Sequence, residues 1–306
     1  MNKTPQQVRL IHNPNAGQKG FSKTTLGKLI KKQGFRVDYA SSEKKSLKDI
    51  RPDTSFIAIA GGDGTIRKTI IRLLNKKLRL KRPIALLPMG TANNIATSLG
   101  ISQNVTQNVS SWKHFNIRKF DIGQISSIAG TSFFLESFGF GIFPKLMKQM
   151  EDYQRPENAS TEEELTYALD LLQQIATQYK AKKCTLEIEG KLIEDSFLLI
   201  EVMNISRLGP NLKLAVDADP GDGFFDVVMV RKNQRQSLCT FIENTINGKT
   251  SQFPIKPIRT KSMKVKWNGQ DCHTDDQQIS FLKNKKLSIN LMHSLIEVIV
   301  GDDKLV

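Results

Sequence analysis

Apolar residues in the first third of the chain gather in short unbroken runs. Val8-Arg9-Leu10-Ile11-His12, Ser55-Phe56-Ile57-Ala58-Ile59-Ala60 and Ile84-Ala85-Leu86-Leu87-Pro88 read as buried strands. Between the second and third, Ile66, Ile70, Leu73 and Leu74 recur at helical spacing, which predicts a helix from Ile66 to Leu80. A second apolar-periodic stretch covers Ile95 to Leu99. Strands alternating with helices predict an α/β domain with a parallel sheet, ending near residue 120. Beyond Asp121 the texture changes to short strands separated by turn residues: 121–125, 132–136, 185–189, 196–203, 224–230, 264–267 and 288–300. That pattern predicts a β-sandwich. One helical insertion interrupts it at about 160–180, after the polar stretch Glu151 to Ala159. Ser160 or Thr161 is its N-cap, and Glu163 or Glu164 completes a capping box.

With 306 residues the chain is long enough for two domains with their own cores. No stretch approaches the roughly 18–20 continuous apolar residues of a membrane span. The N-terminus, Met1 to Gln7, has no apolar signal core, so a cytoplasmic location is expected. Cys184, Cys239 and Cys272 are far apart and odd in number, which suggests neither a disulfide framework nor a zinc site. The net charge of +15 is uneven: residues 1–120 hold 23 Lys and Arg against 5 Asp and Glu, and the rest hold 22 against 25. Much of the excess sits at Arg67, Lys68, Arg72, Lys76, Lys77, Arg79, Lys81 and Arg82. This face serves solubility, or it holds the protein on an anionic leaflet. Nucleic acid is not an expected partner, because no interleaved aromatics or known nucleic-acid motif accompany the charge.

The candidate chemistry lies where the early strands end. Gly61-Gly62-Asp63-Gly64-Thr65 follows the second strand and opens a helix. Glycines permit positive φ and close backbone approach to a phosphate, and a helix start offers N–H donors to an anion. Asp63 suits a phosphate that arrives with a cation, or a proton to be accepted. Thirty residues on, Met89-Gly90-Thr91-Ala92-Asn93-Asn94 repeats the strand-to-turn-to-helix transition, and Asn13-Pro14-Asn15-Ala16-Gly17 follows the first strand. Loops on neighbouring parallel strands open on one edge of the sheet, the usual ligand edge.

These three segments resemble the catalytic domain of diacylglycerol kinases and bacterial lipid kinases of the diacylglycerol/sphingosine kinase kind, in order and in spacing. The resemblance runs to the C-terminus. It implies an NAD kinase/phosphofructokinase-like α/β nucleotide-binding domain over 1–120, to which 291–306 returns, and a β-sandwich lipid-substrate domain over 121–290. It implies an ATP- and Mg²⁺-dependent phosphotransferase acting on the hydroxyl of diacylglycerol or a related lipid, in phospholipid metabolism at the inner face of a bacterial membrane. A homodimer is compatible with the sequence. The implied ATP-binding residues are Asn13, Pro14, Asn15, Gly17, Ser41 (or Ser42), Gly61, Gly62, Asp63, Gly64, Thr65, Gly90, Thr91 and Asn94.

Two departures stand out. The family's glycine loop usually continues Asn-Glu, and here it continues Ile66-Arg67-Lys68. The family's late Asp-Gly-Glu motif, which carries the general base, is matched by Asp275-Asp276-Gln277. Gln277 stands where the family has Glu, leaving Asp275 or Asp276 as base and His273 as a weaker candidate; a solvated turn is the plain alternative. The resemblance also puts a structural Mg²⁺ on the Asp222 carboxylate and the carbonyls of Asp219 and Phe224, within a run whose plain alternative is an Asp/Gly turn between strands. Phe133, Phe134, Phe138, Phe140 and Phe143 line an acyl-chain cleft or, more simply, form core. Rival readings are a kinase of a soluble molecule such as NAD, and a catalytically weak lipid- or nucleotide-binding regulator.

Overall fold

The computed structural model describes residues 5–16, 21–42, 47, 50–75, 82–126, 133–154, 160–280 and 286–301. The chain divides into two compact units, Met1–Phe120 with Ser294–Val306, and Asp121–His293.

In the first unit the elements run β1 (Gln7–His12), α1 (Lys23–Lys32), β2 (Arg36–Ser41), β3 (Thr54–Gly61), α2 (Asp63–Asn75), β4 (Ile84–Pro88), α3 (Asn94–Ser98) and α4 (Val105–Ser111). The strands pair in parallel in the order β4, β3, β1, β2. Beyond β4, Val298 and Ile299 of the last strand add in parallel to Ile84 and Ala85. β1 and β4 are buried at every position and β3 at all but Ser55, as strands covered on both faces must be, and this is why they read as unbroken apolar runs. Edge strand β2 is only half-buried. Every parallel strand delivers its C-terminal residue to one edge, so Asn13, Ser41, Gly61 and Gly90 share that edge.

Two strands continue from one unit into the other, β5 (Phe115–Ser126) and the last one. The second unit goes on with β6 (Phe133–Phe134), β7 (Ser137–Gly141), α5 (Ile142–Glu151), α6 (Thr161–Gln178), β8 (Lys182–Ile188) and β9 (Lys191–Met203). A two-residue hairpin follows, β10 (Arg207–Leu208) and β11 (Leu212–Lys213), then β12 (Phe225–Arg231) and α7 (Arg235–Ile246). The chain ends with β13 (Ile258–Thr260), β14 (Ser262–Trp267), β15 (Asp271–Thr274), β16 (Gln277–Ser280) and β17 (Lys286–Gly301). β9 organises the unit: residues 191–197 pair with β8, and 199–203 lie between β7 and β12, all antiparallel. Phe197, Ile200 and Val202 of β9 pack into one core with Phe134, Phe138, Phe140, Phe225 and Trp267. Leu199 and Met203 face a second core under α5, α6 and α7. The second unit is thus a β-sandwich-like domain, and the first an α/β domain with parallel strands.

The sequence-based expectations need several corrections. α2 begins at Asp63, three residues before the expected start, and 76–80 lie outside the described residues. The strand expected over 132–136 shrinks to Phe133–Phe134, because the amides of Leu135, Glu136 and Ser137 are drawn to a distant carboxylate. Phe134, Phe138, Phe140 and Phe143 are core, which removes the acyl-cleft reading for them. The capping box is present as Ser160 with Glu163.

Candidate active site

At the edge of the α/β unit two glycine segments lie backbone against backbone. None of Gly61, Gly62, Gly64 and Gly90 has a positive φ, so conformational freedom is not what requires them. Close approach is: a Cβ on Gly62 would sit 2.9 Å from the Gly90 Cα, and one on Gly90 would sit 2.6 Å from the Gly62 Cα. Gly61 lies equally tight against the Thr65 side chain. The turn itself is short, for Asp63, Gly64 and Thr65 already form the first turn of α2, with Thr65 N–H and Ile66 N–H donating to the Gly62 carbonyl.

Asp63 holds the two segments together. Its carboxylate accepts the Asn94 N–H at 2.8 Å and the Ile95 N–H at 3.2 Å, capping the first turn of α3. This gives its charge a partner within the protein, where the sequence had suggested a cation or a proton. Asn13 Nδ2 donates to Thr65 Oγ1 at 3.0 Å, which leaves the hydroxyl proton of Thr65 free to donate outward, and the Asn15 N–H turns back onto Asn13 Oδ1. Pro14, Asn15 and Thr91 are exposed at this edge, Ser41 ends β2 opposite His12, and Gly17 lies outside the described residues. Burial pushes the His12 imidazole pKa down.

Asn93 is a participant that sequence reasoning missed. It sits in the left-handed region at φ 50°, its Oδ1 accepts the Gly90 N–H at 2.8 Å, and its Nδ2 donates to the Gly90 carbonyl and to Gln103. The signal was available, since Asn tolerates that conformation better than most residues. Next to it, Asn94 Oδ1 is buried with no hydrogen-bond partner among the described residues. An orphaned acceptor beside the paired glycine segments fits a ligand with amino or hydroxyl donors, as a nucleotide has.

Half of the expected basic face can be placed. Arg67 is buried, Arg72 donates to the Ser42 carbonyl and Arg82 to the Thr54 carbonyl. Lys76, Lys77, Arg79 and Lys81 lie outside the described residues, and Lys68 is the exposed cation of α2 within them.

In the second unit Asp275 is not arranged as a base. It is buried at φ 49°, and its carboxylate accepts the consecutive N–H groups of Leu135, Glu136 and Ser137 at 2.7–3.2 Å. Oδ1 accepts all three of these amides, and Oδ2 shares the Leu135 N–H. His273 is fully buried as well: Nδ1 donates to the Asp275 carbonyl at 2.9 Å and Nε2 faces both Glu201 oxygens at 3.0 Å. Burial favours uncharged Glu201 and pushes its pKa up, while the Glu201 carboxylate holds the His273 pKa up against its own desolvation. Asp275 and His273 are buried, whereas Asp276 and Gln277 at the tip of the β15–β16 turn are exposed. Glu201 had no signal beyond being a lone acid in an apolar strand.

The loop expected to hold a structural metal ion is closed on itself. Asp219 Oδ1 accepts the Gly221 N–H, and Asp222 Oδ1 accepts the Phe224 N–H. Asp222 Oδ2 is paired with Arg259, whose guanidinium also lies 4.4 Å from the Phe224 ring centroid. From below, the fully buried Asp121 accepts the Gly223 N–H at 2.8 Å and meets His293 Nδ1 at 2.9 Å. The single carboxylate assigned to a dication already faces a guanidinium, so these residues do not fit the ion. Among the described residues no group of three or more His, Cys, Asp or Glu side chains is arranged to hold a metal. Nor is any described helix long and apolar enough to cross a membrane.

Comparison with known proteins matches this division. Residues 7–125 match the model of the diacylglycerol kinase catalytic domain, and residues 152–292 that of the YegS C-terminal NAD kinase beta sandwich-like domain. The chain is similar to the diacylglycerol kinase of Bacillus subtilis (strain 168), at 24% identity over 301 residues, 95% of this chain and 88% of the relative. It is 23% identical over 270 residues to that of Staphylococcus saprophyticus, 85% of each chain. A solved diacylglycerol kinase structure from Bacillus anthracis str. Sterne superposes with a TM-score of 0.73 at 19% identity, over 100% of both chains. At that identity the likeness is one of fold.

Proposed function

Because this chain belongs to the diacylglycerol kinase catalytic-domain family, we propose that it transfers the γ-phosphoryl group of ATP to the hydroxyl of diacylglycerol or a related lipid. The observation that carries the reading is the Asp63 clamp, which fixes the Gly62 and Gly90 backbones against each other at the start of two helices. Such a cradle aims main-chain donors at phosphate oxygens.

Phosphoryl transfer asks for positioning and charge neutralisation more than for covalent chemistry. The amides at the start of α2 and the Thr65 hydroxyl bind phosphate oxygens, and Asn13 orients that hydroxyl. Mg²⁺ arrives with ATP and supplies positive charge to the phosphates; the 219–224 loop takes no part in holding it. Asp276 is the exposed carboxylate in the late acidic turn, and we assign it the proton of the acceptor hydroxyl. The acceptor would be met at an anionic membrane surface from the cytoplasmic side.

The test is incubation with labelled ATP, Mg²⁺ and mixed lipid vesicles, beside Asp63→Ala and Asp276→Asn. Label entering lipid with the wild type, and lost in both variants, supports the reading. A second reading is favoured by the occupied carboxylate of Asp275 and by Gln277: a regulator that binds nucleotide or lipid with little turnover. ATP binding without transfer to any acceptor would select it. Transfer to NAD in the absence of vesicles would instead select a soluble-substrate kinase.

A further inference from the structure

A pocket of about 410 Å³ in the second unit is lined by α5, the last two turns of α6 and the chain that leads into β8. Lys145 enters it from α5, Gln178 from α6, and Lys180 and Lys182 follow two residues apart as the chain straightens. Tyr179 and Asp271 complete the part that matters.

The lysines have no evident structural task. Cations next to a helix C-terminus commonly satisfy its last carbonyls. Here Arg235 does so, donating to the carbonyls of Ala176, Thr177 and Tyr179. The lining of the pocket brings together three lysines and one carboxylate, Asp271. The Tyr179 hydroxyl is buried and has no hydrogen-bond partner among the described residues. A buried hydroxyl left without a partner carries a cost of about 1–3 kcal/mol, and a ligand oxygen would remove it. Burial, and after it the charge of Asp271, pushes the phenol pKa up, so this hydroxyl remains a donor at any physiological pH.

We infer that this pocket is an oxyanion site for a phosphate ester bearing a free hydroxyl. The ammonium groups of Lys145, Lys180 and Lys182 and the Tyr179 O–H supply donors to the phosphate oxygens, which only accept. Asp271 accepts from the hydroxyl of the alcohol portion and disfavours a ligand with a second anionic group. Glycerol phosphates have this chemistry, whether free in solution or as the headgroup of a glycerophospholipid. None of the argument depends on phosphoryl transfer by the other unit.

The full chain is titrated calorimetrically with sn-glycerol 3-phosphate, and is sedimented with phosphatidylcholine vesicles with and without phosphatidylglycerol. Both assays are repeated on Tyr179→Phe, Lys180→Ala/Lys182→Ala and the control Lys249→Ala/Lys256→Ala, which removes the same charge elsewhere on the unit. Thermal melting verifies that each variant is folded. Binding of the soluble ester that falls about tenfold in Tyr179→Phe and vanishes in the lysine pair, with the control unchanged, identifies a soluble ligand. The same pattern seen with phosphatidylglycerol vesicles alone identifies a headgroup. Binding in neither assay overturns the inference. So does binding that ignores Tyr179→Phe, or that falls equally in the control.

Discussion

The Asp63 carboxylate accepts the backbone N–H of Asn94 at 2.8 Å, across 31 residues of sequence, and this bond makes one object of two glycine loops. Remove it and Gly62 and Gly90, whose backbones touch, lose the clamp that keeps them in register. Asp63→Ala is expected to weaken ATP binding at least tenfold, since hydrogen bonds to a charged group are worth about 1.5–3 kcal/mol each. Gly62→Ala should do the same by pushing the loops apart, at about 1–3 kcal/mol of stability. Titration calorimetry and melting of both variants provide the check. Unchanged affinity in either would separate the clamp from the nucleotide site.

The β15–β16 turn makes a prediction in the opposite direction. Gln277 is exposed and occupies the position where the resemblance expects Glu. Gln277→Glu should raise kcat for lipid phosphorylation about tenfold or more while leaving the melting temperature and the KM for ATP unchanged. Asp276→Asn should lower kcat by about 10²-fold or more, the usual effect of losing a general base. Asp275→Asn should lose activity together with stability, because the buried N–H groups of Leu135, Glu136 and Ser137 would meet a neutral amide in place of a carboxylate, with its NH2 turned against a donor at the second oxygen's position. A folded, inactive Asp275→Asn beside a fully active Asp276→Asn would return the base to Asp275.

What the sequence disclosed followed physical scale. The strands of the α/β unit were legible because burial on both faces leaves an unbroken apolar run, and the α6 start because its capping box spans four residues. The amides that hold the Asp275 carboxylate were not legible, because they lie about 140 residues away and no local pattern records them. Gly139 carried no signal of its own; it sits in β7, where a Cβ would meet the Glu201 carboxyl at 2.1 Å. Arg67 was counted on a charged face by its chemistry, whereas its position on α2 turns it inward. The nucleotide loops were found by composition, but the reason for their glycines, contact with each other rather than positive φ, needed both strands in place.

Arg259 on Asp222 bears on metal dependence. With a guanidinium already against the carboxylate, chelation should leave the fold intact. EDTA is expected to shift the melting temperature of the nucleotide-free protein by less than about 1 °C, while Arg259→Ala lowers it modestly, an exposed ion pair being worth about 0–1 kcal/mol. A fall of several degrees on chelation, reversed by Mg²⁺, would restore the metal to this loop.

Asp226 gives the pH dependence a sign. It lies opposite Arg259 in the β12–β13 ladder, and burial raises its pKa from 3.8 to about 6, with Asp222 and Asp217 adding to the rise and Arg259 opposing it. The unfolded chain releases this proton near pH 3.8, whereas the folded protein holds it to about pH 6. Across that window the native state binds more protons than the unfolded state, so this side chain's contribution to stability declines as pH rises and then levels off. Asp226→Asn never ionises. Its melting temperature should equal that of the wild type near pH 3.5, diverge upward between about pH 4 and 6, and stay higher by about 2–4 °C at pH 7.5, the shift that ~1 kcal/mol makes in a protein of this size. Parallel melting curves across that range would mean that Arg259 keeps Asp226 ionised throughout, and that the acidic side of this loop is already charged at low pH.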